Sequence, residues 1–197
     1  MTTDMWDGTW LNPPAAWSVD AAGKLHATSG DRTDFWQETH YGFQRDNGHA
    51  LLRDMDAAFT AMLTFDGDYD VLYDQAGLML RSGPRDWIKF GIEHTDGIPH
   101  LSVVATYGGR SDWSAQPVRI SGPVTLRATR LGDAMLLQWS PDGGASWDMV
   151  RLAPVPCDAD VSALRAGPYF CAPERSGFTA RFHSFAVTAP AVAGLHE

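Results

Sequence analysis

The most regular feature of the chain is a two-residue alternation of apolar and polar positions. In Gln75-Ala76-Gly77-Leu78-Met79-Leu80-Arg81, Ala76, Leu78 and Leu80 share one face, and Gln75, Gly77, Met79 and Arg81 share the other. The segment Trp87-Ile88-Lys89-Phe90-Gly91-Ile92-Glu93 repeats the pattern, with Ile88, Phe90 and Ile92 on the apolar face and Trp87, Lys89, Gly91 and Glu93 opposite. Between them Ser82-Gly83-Pro84-Arg85-Asp86 has the chemistry of a turn, which predicts an antiparallel hairpin. Similar signals predict strands over 55–65, 99–106, 124–129, 134–139, 147–152, 167–171 and 178–187. The stretch 54–63 fits a helix as well as a strand, and no long helical period occurs elsewhere. Many short strands divided by turns predict an all-β fold, a sandwich or a barrel.

Composition fits one such unit. A chain of 197 residues, 44% hydrophobic and 20% charged, can bury roughly 70% of its surface without a metal or disulfide staple. Its 19 glycines and 12 prolines are spread along the chain instead of gathering in a linker, so a single domain is expected over 1–197, with a core at about 8–187 and a tail at 189–197. Fifteen basic against 24 acidic residues leave a net charge of −9, which argues against nucleic-acid or anionic-membrane partners. No apolar run approaches the roughly 18 residues of a membrane span, and the acidic N-terminus lacks a signal segment. A cytoplasmic location is therefore expected, with Cys157 and Cys171 as buried, unpaired thiols.

Candidate chemistry gathers on the polar face of the hairpin. A face that mixes an indole with amide, ammonium and carboxylate groups suits a polyhydroxylated ligand, because the ring covers C–H surface while polar groups meet hydroxyls. The competing reading is a sheet face covered by a loop, with Trp87 packed beneath it. Two further aromatic-polar runs, 33–43 and 108–114, can each place a tryptophan beside a carboxylate or serve to anchor a loop. Ser140-Pro141-Asp142-Gly143-Gly144-Ala145-Ser146-Trp147 matches the Asp-box pattern, whose aspartate caps a tight turn, so Asp142 is read as structural. The seven histidines (26, 40, 49, 94, 100, 183 and 196) show no ligand spacing, and neither a phosphate loop nor a nucleophile elbow is present. No metal and no cofactor is expected.

Several segments together resemble a known family: Trp10-Leu11-Asn12-Pro13-Pro14, Asp34-Phe35-Trp36, Thr39-His40-Tyr41-Gly42-Phe43, Arg45-Asp46-Asn47-Gly48-His49, Tyr73 through Met79, Trp87 through Glu93, Ser111-Asp112-Trp113-Ser114 and the Asp-box hairpin. They are similar to the DUF1349 family of the concanavalin A-like lectin/glucanase superfamily, from about residue 8 to about residue 187. The resemblance implies a two-sheet antiparallel jelly-roll sandwich, with any sugar lying across the concave face of one sheet. It implies function more loosely, since relatives accompany polysaccharide-degrading systems while a fungal one is named as a regulator of enolase.

The leading expectation is a carbohydrate-binding or carbohydrate-processing protein whose partner is an oligosaccharide or sugar derivative. The ligand-binding candidates are Gln75, Arg81, Trp87 and Lys89 on the hairpin, with Trp36, His40 and Trp113 at the rim. Binding and catalysis both stay open. Hydrolysis would need two carboxylates, roughly 5 Å apart for retention or 6.5–9.5 Å for inversion. Glu93 is the first candidate, expected to stay ionised beside Lys89, and its partner would be Asp112 or else Asp34. The missing E-x-D-x-x-E run counts against one familiar form of that chemistry. The alternative is a non-catalytic regulatory protein that binds a metabolic enzyme or another protein, and self-association into a homo-oligomer stays open.

Overall fold

The computed structural model describes residues 5–157 and 164–195, so His196 lies outside the described residues, as do residues 1–4 of the acidic N-terminus. Among the described residues there are sixteen strands and no helix. They are β1 (Thr9–Leu11), β2 (Ala16–Val19), β3 (Leu25–Thr28), β4 (Phe35–Gln37), β5 (Gln44–Asp46), β6 (His49–Asp54), β7 (Thr60–Gly67) and β8 (Gln75–Gly83). Then come β9 (Asp86–Thr95), β10 (Ile98–Tyr107), β11 (Arg110–Pro117), β12 (Val124–Leu131), β13 (Ala134–Ser140), β14 (Asp148–Pro154), β15 (Arg165–Cys171) and β16 (Thr179–Thr188).

Two seven-stranded antiparallel sheets make a jelly-roll sandwich. The first runs β1-β6-β15-β8-β9-β10-β11, the second β14-β13-β12-β7-β16-β3-β2. Leu78, Leu80, Ile88, Phe90 and Ile92 of the first sheet enter one core with Leu63, Phe65, Leu126, Leu137 and Phe182 of the second. Each such side chain contributes roughly 1.5–3 kcal/mol through burial, which is why alternation fixes the fold so firmly. The hairpin registers as Gln75↔Glu93, Leu78↔Phe90 and Arg81↔Trp87.

The region around 54–65 is not helical. Asp54 closes β6, residues 55–59 turn, and only from Thr60 does the chain place Ala61, Leu63 and Phe65 inward as β7.

A second, smaller core lies on the outer face of the first sheet. The short ribbon β4–β5 packs Phe35 and Trp36 onto Met79, Trp87, Val104, Tyr169 and Cys171. Burial pushes the Cys171 thiol well up from its ordinary value. Both cysteines are free, but Cys157 is exposed rather than buried, because it follows β14 in an irregular segment off both sheets.

A candidate ligand pocket on the outer face of the first sheet

Directly paired residues of antiparallel strands point to the same face. The pairs Gln75↔Glu93, Gly77↔Gly91 and Met79↔Lys89 link β8 to β9, Ser102↔Gly91 and Val104↔Lys89 add β10, and Val104↔Trp113 adds β11. Gln75, Lys89, Glu93, Ser102 and Trp113 are thereby gathered on the face turned away from the second sheet. Gly77 and Gly91 face each other in the middle of this floor. A Cβ on either would lie 2.1 Å from the carbonyl oxygen of Phe90 or Ala76, so neither position tolerates a side chain without backbone movement.

Above the floor is a cavity of about 140 Å³. Asp34, Trp36, Tyr41, Phe43 and Arg45 line it from the ribbon and its loop, Tyr73 from the loop before β8, Trp113 from β11, and Pro173 and Glu174 from beyond β15. The rings pack on one another: Trp36 and Tyr41 stand at 5.5 Å, Tyr41 and Phe43 stack at 5.4 Å, and Tyr73 meets Trp113 edge-on at 6.3 Å. The Trp36 indole N–H donates to the carbonyl of Thr39 at 2.9 Å, which fixes the turn of the ribbon. Tyr73 reaches the ribbon from the other side; its hydroxyl pKa is pushed up to about 12, first by a hydrogen bond with Tyr41 and then by burial. The Asp74 carboxylate anchors that loop, accepting the backbone N–H of Val71 at 2.9 Å and pairing with Arg175 at 2.5 Å.

The floor is polar and buried. Lys89 Nζ lies 3.2 Å from Asp34. Burial alone would lower the Lys89 pKa, but the charges of Asp34 and Glu93 and the Asp34 hydrogen bond outweigh it, so the pKa stands above the ordinary lysine value. The Trp113 N–H donates to Ser102 Oγ at 2.9 Å, which leaves the Ser102 hydrogen for Glu93 Oε2 at 2.5 Å. Burial lifts the Glu93 pKa above the ordinary carboxylate value; Lys89 and Ser102 pull the other way without cancelling it. Lys89 acts on Glu93 in the expected direction, but burial is the larger effect and the net shift is upward. Gln75 donates through Nε2 to the carbonyl of Tyr73 at 3.2 Å, while its buried Oε1 has no partner.

Residues 10–190 match the family described as "Protein of unknown function (DUF1349)". The chain belongs to the DUF1349 family. It is 41% identical over 196 residues to the Saccharomyces cerevisiae protein named "Regulation of enolase protein 1", a match covering 99% of this chain and 96% of the relative. A crystal structure described as a functionally unknown protein from Saccharomyces cerevisiae superposes with a TM-score of 0.87 at 42% identity, covering 95% of this chain and 99% of that one. A xylan beta-1,4-xylosidase from Bacillus halodurans C-125 shares the fold alone, with a TM-score of 0.70 at 17% identity over 94% of this chain and 38% of its own.

In this DUF1349 chain the structure sorts the candidate residues into two groups. Gln75, Lys89, Glu93, Trp36 and Trp113 line one cavity. Trp87, Arg81, His40 and Asp112 do not. Trp87 is on the correct face but wholly buried under the ribbon, 6.1 Å from the Phe35 ring. Arg81 is buried too, and its guanidinium makes two hydrogen bonds of 2.8 Å to Asp46, tying β5 down to the sheet. His40 sits at the ribbon's exposed tip with φ of 64°, its ring 4.8 Å from Tyr41. Asp112 precedes Trp113 on β11 and so takes the opposite face, where it meets Arg151 of β14 at 2.8 Å. It is no partner for Glu93; Asp34, brought in by the ribbon, is the carboxylate beside Lys89. Ser102 could be read from the alternation of β10, and Asp34, Tyr41 and Phe43 fall in the aromatic-polar run of 33–43. Pro173 and Glu174 carry no sequence signal.

Proposed function

We propose that this chain is a non-catalytic regulatory protein that binds a metabolic enzyme, with enolase as the first candidate. The observation that carries this reading is its similarity, along 99% of its length, to a protein named for regulation of enolase. The site chemistry supports it. Asp34 is held by Lys89 and Glu93 by Ser102, so both carboxylates are committed to internal partners instead of standing ready as a separate acid and base. The two free cysteines are in keeping with a reducing setting for such a role. Sedimentation velocity of the purified chain mixed with enolase from the same organism tests the proposal. A faster boundary containing both proteins is expected, and two independent boundaries at micromolar concentrations would overturn it.

A second reading gives the same pocket a carbohydrate ligand, and it is favoured by the aromatic walls around the unpartnered Gln75 Oε1. The folds shared with xylan-degrading enzymes are in keeping with it. Any catalysis there would fall to Glu93, whose raised pKa suits a general acid more than a nucleophile. The two readings are compatible if the sugar is a signal and not a substrate.

A further inference from the structure

The pocket's shape and polar chemistry restrict what can enter. The ribbon is the decisive element for shape. On its side of the sheet face, Met79 and Trp87 are filled over by Phe35 and Trp36, so no groove continues across the strands for the next unit of a polymer. On the far side, Tyr41 of the ribbon loop and Tyr73 of the loop before β8 both line the mouth. What remains is about 140 Å³. A cavity of about 150 Å³ holds benzene, whereas sites for drug-sized ligands run from roughly 300 to 1,000 Å³. The space is that of a single six-membered ring.

The polar groups restrict the chemistry further. Gln75 Oε1 is a buried acceptor without a partner and calls for a donor. In the same lining, on the other side of the Gly77–Gly91 pair, the Lys89 ammonium has more donors than its one contact with Asp34 uses, and it calls for an acceptor. A hydroxyl can serve either group, and a ring that carries several hydroxyls offers both donors and acceptors. A phosphate or carboxylate offers only acceptors and leaves Gln75 Oε1 without a donor, and among the lining charges the three carboxylates Asp34, Glu93 and Glu174 that oppose it outnumber the two cations Lys89 and Arg45 that attract it. An ammonium offers only donors and would face Lys89.

We propose that the pocket is an effector site for one free, neutral, monosaccharide-sized polyol, and that it excludes carbohydrate chains and sugar phosphates. This rests on the carbohydrate reading of the site. It goes further in making the ligand a small metabolite that reports on sugar supply instead of a polymer to be held or cut.

Isothermal titration of the full chain tests it, with D-xylose, D-glucose, D-galactose and L-arabinose, the β-1,4-linked tetrasaccharides of xylose and glucose, and glucose 6-phosphate as probes. At least one free sugar is expected to bind. Its tetrasaccharide should bind no more tightly than the monomer, and its phosphate ester about tenfold or more weakly. Gln75→Met, which keeps the shape and removes the acceptor, should weaken the sugar about tenfold with little change in melting temperature. Tyr41→Phe, at the exposed rim, provides a second variant that should fold and bind with altered affinity. A tetrasaccharide that binds about tenfold more tightly than its monomer would overturn the single-ring inference while leaving the carbohydrate reading intact. No binding by any neutral probe would overturn both, and neither result bears on the enolase complex.

Discussion

Lys89 is the one cation on the pocket floor within reach of two carboxylates, and its replacement is the sharpest probe of that floor. Lys89→Met keeps the aliphatic stem and removes the charge, leaving Asp34 without its ion-pair partner and Glu93 without the nearby cation that favours its ionised form. At the observed 3.2 Å, the Lys89–Asp34 attraction alone is about 5 kcal/mol at an effective dielectric of about 20. Much of it offsets desolvation of the two ions, so the relevant magnitude is the cost of stranding a buried charge, about 3–5 kcal/mol. For a domain of this size that is a loss of roughly 6–20 °C in melting temperature. The sign of the pH dependence is fixed. Burial already raises the Glu93 pKa, and without Lys89 it loses a charge that pulls the pKa down, so the folded variant holds a proton that the unfolded chain has released. The variant should therefore regain stability as pH falls from about 7 towards 5. The parent chain behaves differently at the alkaline end: the raised Lys89 pKa stabilises the fold at neutral pH, and that contribution is lost as pH rises through 10.5 and beyond. Thermal denaturation of both proteins between pH 5 and 8 is the assay. A loss below about 1 kcal/mol, or a loss that does not shrink on acidification, would refute the picture of a buried, mutually charged floor.

Trp87→Ala should cost about 3–5 kcal/mol, the usual toll for emptying a tryptophan site in a core, and calorimetric melting will show it. Retained melting temperature together with lost sugar affinity would return Trp87 to the ligand site. Asp142→Ala should lower the melting temperature and leave ligand binding untouched, since Asp142 accepts from the Ser146 backbone N–H at 2.8 Å and from the Ser146 and Ser140 hydroxyls at 2.7 and 2.8 Å. Those bonds hold the Asp142 pKa at about 2, so the stability they give is present above the ordinary aspartate pKa and is lost as pH falls towards 2.

Alternation made the hairpin legible. Both faces of β8 and β9 follow from a period of two, and so does the grouping of Gln75, Lys89 and Glu93. Period alone does not say what lies on top of a face. Trp87 and Lys89 share one, yet the ribbon covers the first and leaves the second lining a cavity. That ribbon consists of two three-residue strands, too short to carry a period, and its contacts with Met79 and Trp87 span more than 40 positions of sequence. Asp112 and Trp113 are neighbours in sequence, and the pleat of β11 sends them to opposite faces. Among the strands before β7, β1, β4 and β5 have three residues each, too few to carry a period, and every residue of β2 is exposed. The Gly77–Gly91 pair was visible as two residues on the polar face. Its role in keeping the floor bare depends on register, which only the paired strands reveal.

The proposed action on a partner enzyme is tested most directly by the turnover of purified enolase, from the organism that encodes the chain, while the chain is titrated from substoichiometric to severalfold excess. A saturable change in enolase rate that levels off at a fixed stoichiometry is expected. An enolase rate that stays flat through the titration would overturn the proposed regulation.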